Sequence, residues 1–241
     1  PSKFTTMKHL RIEAAILAAG LLLLGICLYL GVTNLTDSRR VVNVHGVSER
    51  EVKADHVIWP IVYKTTGNDL QALYEELRVK NEKIKQFLVQ NGISEKEITV
   101  SAPQIIDLLA ERYTNPAEAA GRRYNVTAVT TVATGNVEKV EALINRVGEL
   151  LQQGIAISAG DWQNEVKYEF NALETIKPAM IEEATKDARR AAEQFGKDSG
   201  SEIGKIQHAD QGYFSIEDRD KYTPSIKTVR VVTNVTFYLD N

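Results

Sequence analysis

The chain has 241 residues, a formal net charge of −3 and a single cysteine, Cys27. This near-neutral balance gives no case for nucleic acid as a partner, and one cysteine excludes a disulfide framework within the chain. With 25% charged and 43% hydrophobic residues, the composition is that of a globular protein and not of a disordered one.

The N-terminal region is dominated by an apolar stretch, residues 14–32, that holds neither a charged residue nor a proline. A helix of this length covers all or nearly all of a bilayer core of roughly 30 Å. We therefore predict a transmembrane helix over residues 12–32, preceded by a short tail, 1–11, and followed by a tether, 33–40. The residues chosen to represent the membrane anchor are Ala14, Leu21, Leu24, Cys27 and Leu30.

A cleaved signal peptide and a buried core helix are the alternatives to an anchor. A signal peptide has a shorter apolar core, with small residues at the end where it is cleaved. Here the small residues lie at the beginning of the stretch, and Ile26 precedes Cys27 where a lipoprotein signal requires a small residue. Basic residues flank both ends, so the short tail, more than the charge balance, favours an N-in orientation.

The first half of the remaining chain predicts strands around one long helix. Period-two alternation and β-branched residues indicate the strands, and Pro60 marks an edge or a bulge in one of them. Asn68 with Gln71 forms a capping-box pattern that begins the helix, and Asn91-Gly92 ends it. The predicted strands span residues 40–47, 54–65, 97–106 and 122–134.

The second half predicts a linking helix and then a similar series. The linking helix covers residues 137–153, and a third, alanine-rich helix begins near Pro178, because proline suits the first turn of a helix. The last strand has the clearest alternation, with valine and phenylalanine on one face. The extended segments of this half are residues 155–159, 162–170, 203–214 and 227–239.

Strand, helix, strand, polar tip and strand occur twice in this order, at about 54–134 and again at 155–239. We interpret this as an internal duplication; the alternative is coincidence, since strand-helix-strand patterns are common. The expected fold is α+β, with two related units, antiparallel sheets, and helices packed on one face of each sheet. Residues 41–241 then form one outer domain.

Four short motifs occur in a distinctive order and spacing: Val42-Asn43-Val44-His45-Gly46, Asn91-Gly92-Ile93, Arg123-Tyr124-Asn125-Val126-Thr127 and Gly204-Lys205-Ile206. Together they resemble the SIMPL-domain family over nearly all of residues 41–239. The resemblance implies an exported α+β protein of the bacterial envelope and, in some members, self-assembly into large channel- or cage-like homo-oligomers. It also implies a link to stress tolerance in some members, including oxidative stress, and supplies no catalytic residues.

Sequence motifs typical of catalysis, metal binding or cofactor binding are weak throughout the chain. We therefore predict no catalytic, cofactor-binding or metal-binding residues and expect no enzyme. The four histidines, His9, His45, His56 and His208, lack metal-ligand spacing. The segment 200–205 differs from a phosphate loop in the spacing of its glycines.

One segment instead has the pattern of a contact surface. Ile105, Ile106, Leu108 and Leu109 surround Asp107 just before a polar tip. Either they extend the core strand or they form an oligomer contact.

The expected function is a non-enzymatic homo-oligomer, a ring, cage or channel-like particle, whose partners are copies of itself and membrane lipid. We expect it in the cytoplasmic (inner) membrane as a single-pass protein, with its C-terminal domain in the periplasm. The alternative is a ligand-binding or signalling module of the envelope.

Overall fold

The computed structural model describes residues 17–29, 40–110, 122–158 and 164–240. Residues 17–29 are helical and are named α1. The transmembrane helix predicted at 12–32 therefore extends at both ends beyond the described residues. Within the described part of the chain, no helix combines the length and the apolar character needed to cross a membrane.

From residue 40 onward, strands and helices alternate much as the sequence predicts. A single 3₁₀ turn, Glu95–Glu97, precedes the third strand. The strands are β1 (Val41–Lys53), β2 (His56–Gly67), β3 (Ile98–Val100), β4 (Gln104–Asp107), β5 (Tyr124–Thr134), β6 (Lys167–Glu169), β7 (Glu202–Asp218) and β8 (Ile226–Asp240). The helices are α2 (Leu70–Gln90), α3 (Val137–Asn145), α4 (Gly148–Gln152) and α5 (Leu173–Ser199).

The strands form two sheets. One has the order β1-β8-β7, and the other has the order β3-β5-β2-β6, with β4 also paired to β5. In the larger sheet β2 and β5 pair antiparallel along their whole length, from Val57 opposite Thr134 to Gly67 opposite Tyr124. The predicted α+β class with antiparallel sheets and helices is thus confirmed.

The chain divides into two compact units. The first unit takes residues 1–46, 185–210 and 233–241. Alanines on α5 bring the helix close to the strands, because a methyl group takes little space at the contact. The buried side chains of this core are Val44, Ala188, Ala192, Val235 and Phe237.

The second unit takes residues 47–184 and 211–232 and contains the larger core. Alternate residues of β2 and β5 are buried, since the pleat of a strand sends every second side chain to the same face. That face packs against the apolar stripe of α2, whose buried residues are Leu73, Leu77, Ile84, Phe87 and Leu88. Leu70, the first residue of α2, is exposed.

Two of the three predicted helix starts are wrong, whereas the linking helix begins at Val137 as predicted. Asp69, not Asn68, caps α2, because its carboxylate accepts the amides of Gln71 and Ala72. The side chain of Asn68 instead accepts a hydrogen bond from the amide of Arg123, the residue just before β5.

The helix predicted as the third, α5, begins at Leu173, so Pro178 lies inside it and not at its first turn. The carboxylate of Asp55, in the turn between β1 and β2, accepts the amides of Asn171 and Ala172. Helix N-termini leave amides without partners inside the helix, and Asp55 satisfies two of them just ahead of α5. This contact spans more than 100 residues of sequence and is invisible to local patterns.

Two predicted elements are interrupted. The linking helix breaks at Arg146 and Val147, whose amides bond three residues back, so that α3 and α4 replace one helix. The strand predicted at 97–106 is divided into β3 and β4 by a segment that contains Pro103, which cannot donate to a ladder.

The two sheets do not follow the two predicted repeats. Strand β6, which precedes the second long helix in sequence, pairs with β2 of the first repeat. Strand β1, which precedes both repeats, joins β8 and β7. The internal duplication therefore stays a prediction, and the sheets show that each repeat alone does not supply its own sheet.

Candidate functional site

The described histidines do not assemble into a site. In the part of the chain that the structure describes, no three His, Cys, Asp or Glu side chains form a set that could hold a metal ion. His45 lies on β1, where its Nδ1 is hydrogen-bonded to Oδ1 of Asn234 on β8.

The anchor residues lie on or beside α1. Leu21 and Leu24 are 63% and 58% exposed, and Cys27 is exposed as well, whereas Ala14 and Leu30 lie outside the described residues. All the large apolar side chains of the described helix are exposed. A helix that is apolar all round and exposed requires a cover of lipid or protein.

The predicted contact segment lies at the edge of the larger sheet. In β4, Ile105 stands opposite Val126 and Ile106 opposite Asn125 of β5, and β4 has no second neighbouring strand among the described residues. Ile105 is 51% exposed and Leu109 is 58% exposed. The other two residues of the segment, Ile106 and Leu108, are half-buried. The segment is thus part core strand and part surface, and its role as a contact stays a prediction.

The end of this edge is held by a charge pair. Arg123 donates to both carboxylate oxygens of Asp107, with Nη2 at 2.7 Å from Oδ2 and Nε at 3.1 Å from Oδ1. These hydrogen bonds lower the pKa of Asp107 and raise that of Arg123. Asp107 also ties the following turn, because its Oδ1 accepts the amide of Leu109 and its carbonyl accepts the amide of Ala110.

The edge between the start of β3 and Ile106 carries no charge. Its nine residues, 98–106, are Ile-Thr-Val-Ser-Ala-Pro-Gln-Ile-Ile. Open strand edges are usually protected by charged side chains, because the unpaired backbone groups otherwise attract another strand. The first charge along this edge is Asp107, and Arg123 already compensates it.

A groove runs beside this edge, between α2 and β3 with the residues that follow it. Its volume is about 240 Å³, and Ala128 of β5 lies among its walls. Tyr74 of α2 and Val100 of β3 are 64% and 48% exposed, so apolar surface is open to solvent here. The other residues that line it are Leu77, Arg78, Asn81, Glu82, Lys85, Ser101 and Pro103.

Sequence reasoning missed this groove, although it placed most of the residues correctly on their elements. Tyr74 and Val100 are 26 positions apart, and no local pattern joins them. The signal that was available was an aromatic residue on α2 outside the buried stripe.

A buried polar cluster fixes α2 beside the groove. The hydroxyl of Tyr63 lies 2.9 Å from Oδ1 of Asn81 and 3.2 Å from the carbonyl of Leu77. Thr130 also donates to Asn81. Burial, and secondly the nearby carboxylate of Glu76, raises the pKa of Tyr63 to about 12, so the hydroxyl keeps its proton.

Glu76 belongs to a second set of polar contacts on the same helix. It accepts a hydrogen bond from Thr65 of β2 at 2.8 Å and pairs with Lys80 at 2.6 Å. The bond from Lys80 is the main cause that lowers the pKa of Glu76. Together the two clusters hold α2 on the sheet, so that the wall of the groove is fixed in place.

These features suit binding, since an open strand edge offers backbone hydrogen bonds and the groove offers an apolar pocket for a side chain. The combination is the one by which extended chains add to a sheet.

Comparison with known proteins gives a family and no function. No curated protein matches the chain. The SIMPL family, described as a protein of unknown function (DUF541), matches residues 42–237, which is most of the chain and includes both sheets. The expected resemblance is therefore confirmed, and the chain belongs to the SIMPL family.

Proposed function

We propose that this protein is a non-enzymatic, membrane-anchored homo-oligomer of the cell envelope, with its outer domain in the periplasm. The observation that carries the proposal is the edge of β3 and β4, which is uncharged, pairs with no second strand among the described residues and includes the half-exposed Ile105. An edge of this kind favours pairing with a further strand, and copies of the same chain are always available as partners.

The exposed apolar helix α1 supports the location. Its described residues present leucines on all sides, and the apolar stretch in the sequence continues to both sides of them. Insertion into lipid would cover these side chains and confine copies to two dimensions. Confinement raises the effective concentration of each contact surface, so that weak contacts become sufficient for assembly.

The direct test is the mass of the full chain in mild detergent, measured by light scattering with the detergent subtracted. The expected result is a discrete particle of several copies that persists on dilution. A monomer that stays monomeric at high concentration would refute the assembly. Fractionation of cells tests the location separately: the protein should remain with membranes after washing with high salt and alkali.

The groove favours a second candidate, a ligand-binding module of the envelope. Tyr74, Leu77 and Val100 give it apolar walls, and Asn81 places an amide at its side. This candidate predicts that the fluorescent probe anilinonaphthalene sulfonate binds the monomer with one-to-one stoichiometry. Val100→Asp should abolish that binding while Val79→Asp, on an equally exposed valine of α2, should not. Absence of saturable binding by the monomer would remove this candidate.

A further inference from the structure

We propose that β4 pairs antiparallel with β4 of a second copy about a two-fold axis at Ile105, and that Leu109 of each copy closes the α2–β3 groove of the other. The inference rests on the proposed self-assembly and names the contact through which it occurs. Each groove is then completed by a side chain that the other copy contributes.

The pairing of β4 with β5 determines which backbone groups of β4 can bond to an added strand. The amide of Leu108 donates to the carbonyl of Arg123, in the same register as the β4–β5 ladder. Because alternate residues of a strand direct their hydrogen bonds to opposite sides, Gln104 and Ile106 bond towards β5. The amides of Ile105 and Asp107 consequently point away from the sheet, towards any strand that is added.

Two registers place an isoleucine of β4 opposite itself and keep the helix-bearing faces of both copies on the same side. In one, Ile105 stands opposite itself and Asp107 opposite Pro103. In the other, Ile106 stands opposite itself and Asp107 opposite Ile105. The two registers differ in whether they require backbone groups of β4 that already form hydrogen bonds.

The first register fits the hydrogen bonds on the edge. The carbonyl of Asp107 already accepts the amide of Ala110, and Pro103 has no N–H to offer it. When Asp107 stands opposite Pro103, the carbonyl of Asp107 needs no further donor and Pro103 has no N–H that needs an acceptor. The amide of Asp107 can then donate to the carbonyl of Pro103. The second register would require the amide of Ile105 to share the engaged carbonyl of Asp107.

The exposed apolar surface of Ile105 also favours the first register. In the first register Ile105, which is 51% exposed, meets Ile105 of the second copy at the axis. In the second register it would meet the carboxylate-bearing Asp107. Burial of exposed apolar surface is favourable in the first arrangement and is opposed by the desolvation of a charge in the second.

The same register brings Leu109 to the groove. Leu109 lies in the turn beyond Asp107, and this register brings that turn towards residues 100–103 of the second copy, among which Val100, Ser101 and Pro103 line the groove. Leu109 is 58% exposed and lies in the turn that Asp107 fixes. By symmetry both grooves receive a leucine, as an isologous interface requires.

Charge determines that the partner is a second copy. In antiparallel self-pairing, a charged residue near the axis would meet its own like charge, which is unfavourable. Residues 98–106 contain no charge, and the carboxylate of Asp107 is neutralised within its own copy by Arg123. The edge is therefore compatible with itself without a complementary charge on another protein.

Cross-linking tests the register in the full chain in mild detergent. In a Cys27→Ser background, Ile105→Cys is treated with a short thiol-specific bifunctional cross-linker, and the dimer fraction is read on a denaturing gel. We expect most of the protein to become dimer. Ile106→Cys tests the alternative register, and Tyr213→Cys, on the fully exposed Tyr213 of β7, controls for random collisions.

Leu109→Asp tests the groove contact. We expect dimer dissociation to increase by roughly tenfold or more, because a well-packed apolar anchor is replaced by a charge at the groove. Leu151→Asp, which alters an equally exposed leucine on α4, should leave dissociation unchanged. Circular dichroism of both variants checks that the fold is intact.

The outcomes distinguish a failure of the proposed contact from a failure of the proposed function. If a discrete particle forms but Ile105→Cys gives no more dimer than Tyr213→Cys, the proposed contact is wrong and the assembly uses another surface. Cross-linking of Ile106→Cys in place of Ile105→Cys overturns the register. If no particle forms at all, the proposed function fails together with the contact.

Discussion

Two strand edges that are open among the described residues differ in charge. Strand β7 has 17 residues, lies at the edge of its sheet and leaves most of its side chains exposed, including Tyr213 at 100%. It carries Lys205, Asp210, Glu217 and Asp218 along its length, whereas the β3–β4 edge carries nothing charged before Asp107. Charged side chains discourage pairing with another strand. Exposure alone therefore does not distinguish the two edges, whereas charge does.

The largest expected effect comes from placing a charge on the unprotected edge. Ile105→Lys puts two like charges at the two-fold axis, where burial would remove them from water. We expect self-association to weaken by roughly 100-fold or more, because each tenfold loss corresponds to only about 1.4 kcal/mol. Sedimentation of the full chain in detergent over a range of concentrations measures the change.

Ile206→Lys is the matched control, because Ile206 of β7 is 41% exposed and its edge is already charged. It should leave the mass of the particle unchanged. Equal loss of assembly in both variants would show that the two edges do not differ in the way that their charges indicate.

A smaller effect is expected from the charge pair that ends the uncharged edge. Arg123→Gln leaves the carboxylate of Asp107 uncompensated in each copy, and assembly should weaken by about tenfold, in the range of a charge-assisted hydrogen bond. Asp107→Asn, which removes the charge itself, should weaken assembly less. Titration of the particle mass with salt separates the two variants, since added salt should partly restore assembly only in Arg123→Gln.

The same pair gives a pH dependence with a definite sign. Arg123 holds the pKa of Asp107 below that of the unfolded chain. The stability that the pair contributes is therefore present above the ordinary aspartate range and is lost as the pH falls through the lowered pKa. In Arg123→Gln the folded-state pKa of Asp107 should lie closer to that of the unfolded chain, so this loss should be smaller and complete at a higher pH. An unchanged acid limb in urea unfolding would contradict the role of the pair.

The smallest effect concerns stability and not assembly. Thr233 of β8 is 4% exposed, and its hydroxyl has no hydrogen-bond partner among the described residues. Thr233→Val removes a buried, unpaired polar group at nearly constant shape, so the free energy of unfolding should rise by about 1 kcal/mol. Urea unfolding checks this, with Thr228→Val, at a half-buried position of the same strand, as the control; destabilisation by Thr233→Val would be contrary to this reading.

The sequence predicted most of the strands and helices because their signals are local. Alternation marked β2, β5 and β8, and Asn91-Gly92 ended α2, with Gly92 at a φ of 83° that glycine adopts without strain. The start of α5 could not be predicted, since it depends on Asp55 reaching the amides of Asn171 and Ala172.

The candidate site was predicted in part for the same reason. The apolar run 105–109 is contiguous, so its unusual composition was visible before the structure. The groove is formed by Tyr74, Val100 and Pro103, which meet only after α2 has packed on the sheet. The freedom of the β4 edge also depends on topology, because a sequence does not show which strands lack a second neighbour.

Hydrogen exchange at the amides of Ile105 and Asp107 tests the central claim most directly. Both amides point away from β5, and among the described residues no strand of the same chain pairs with them. In the assembled full-length protein we predict that both are protected, and that protection is lost in Leu109→Asp at concentrations where that variant is monomeric. Equally fast exchange of both amides in the particle and in the monomer would contradict pairing through this edge.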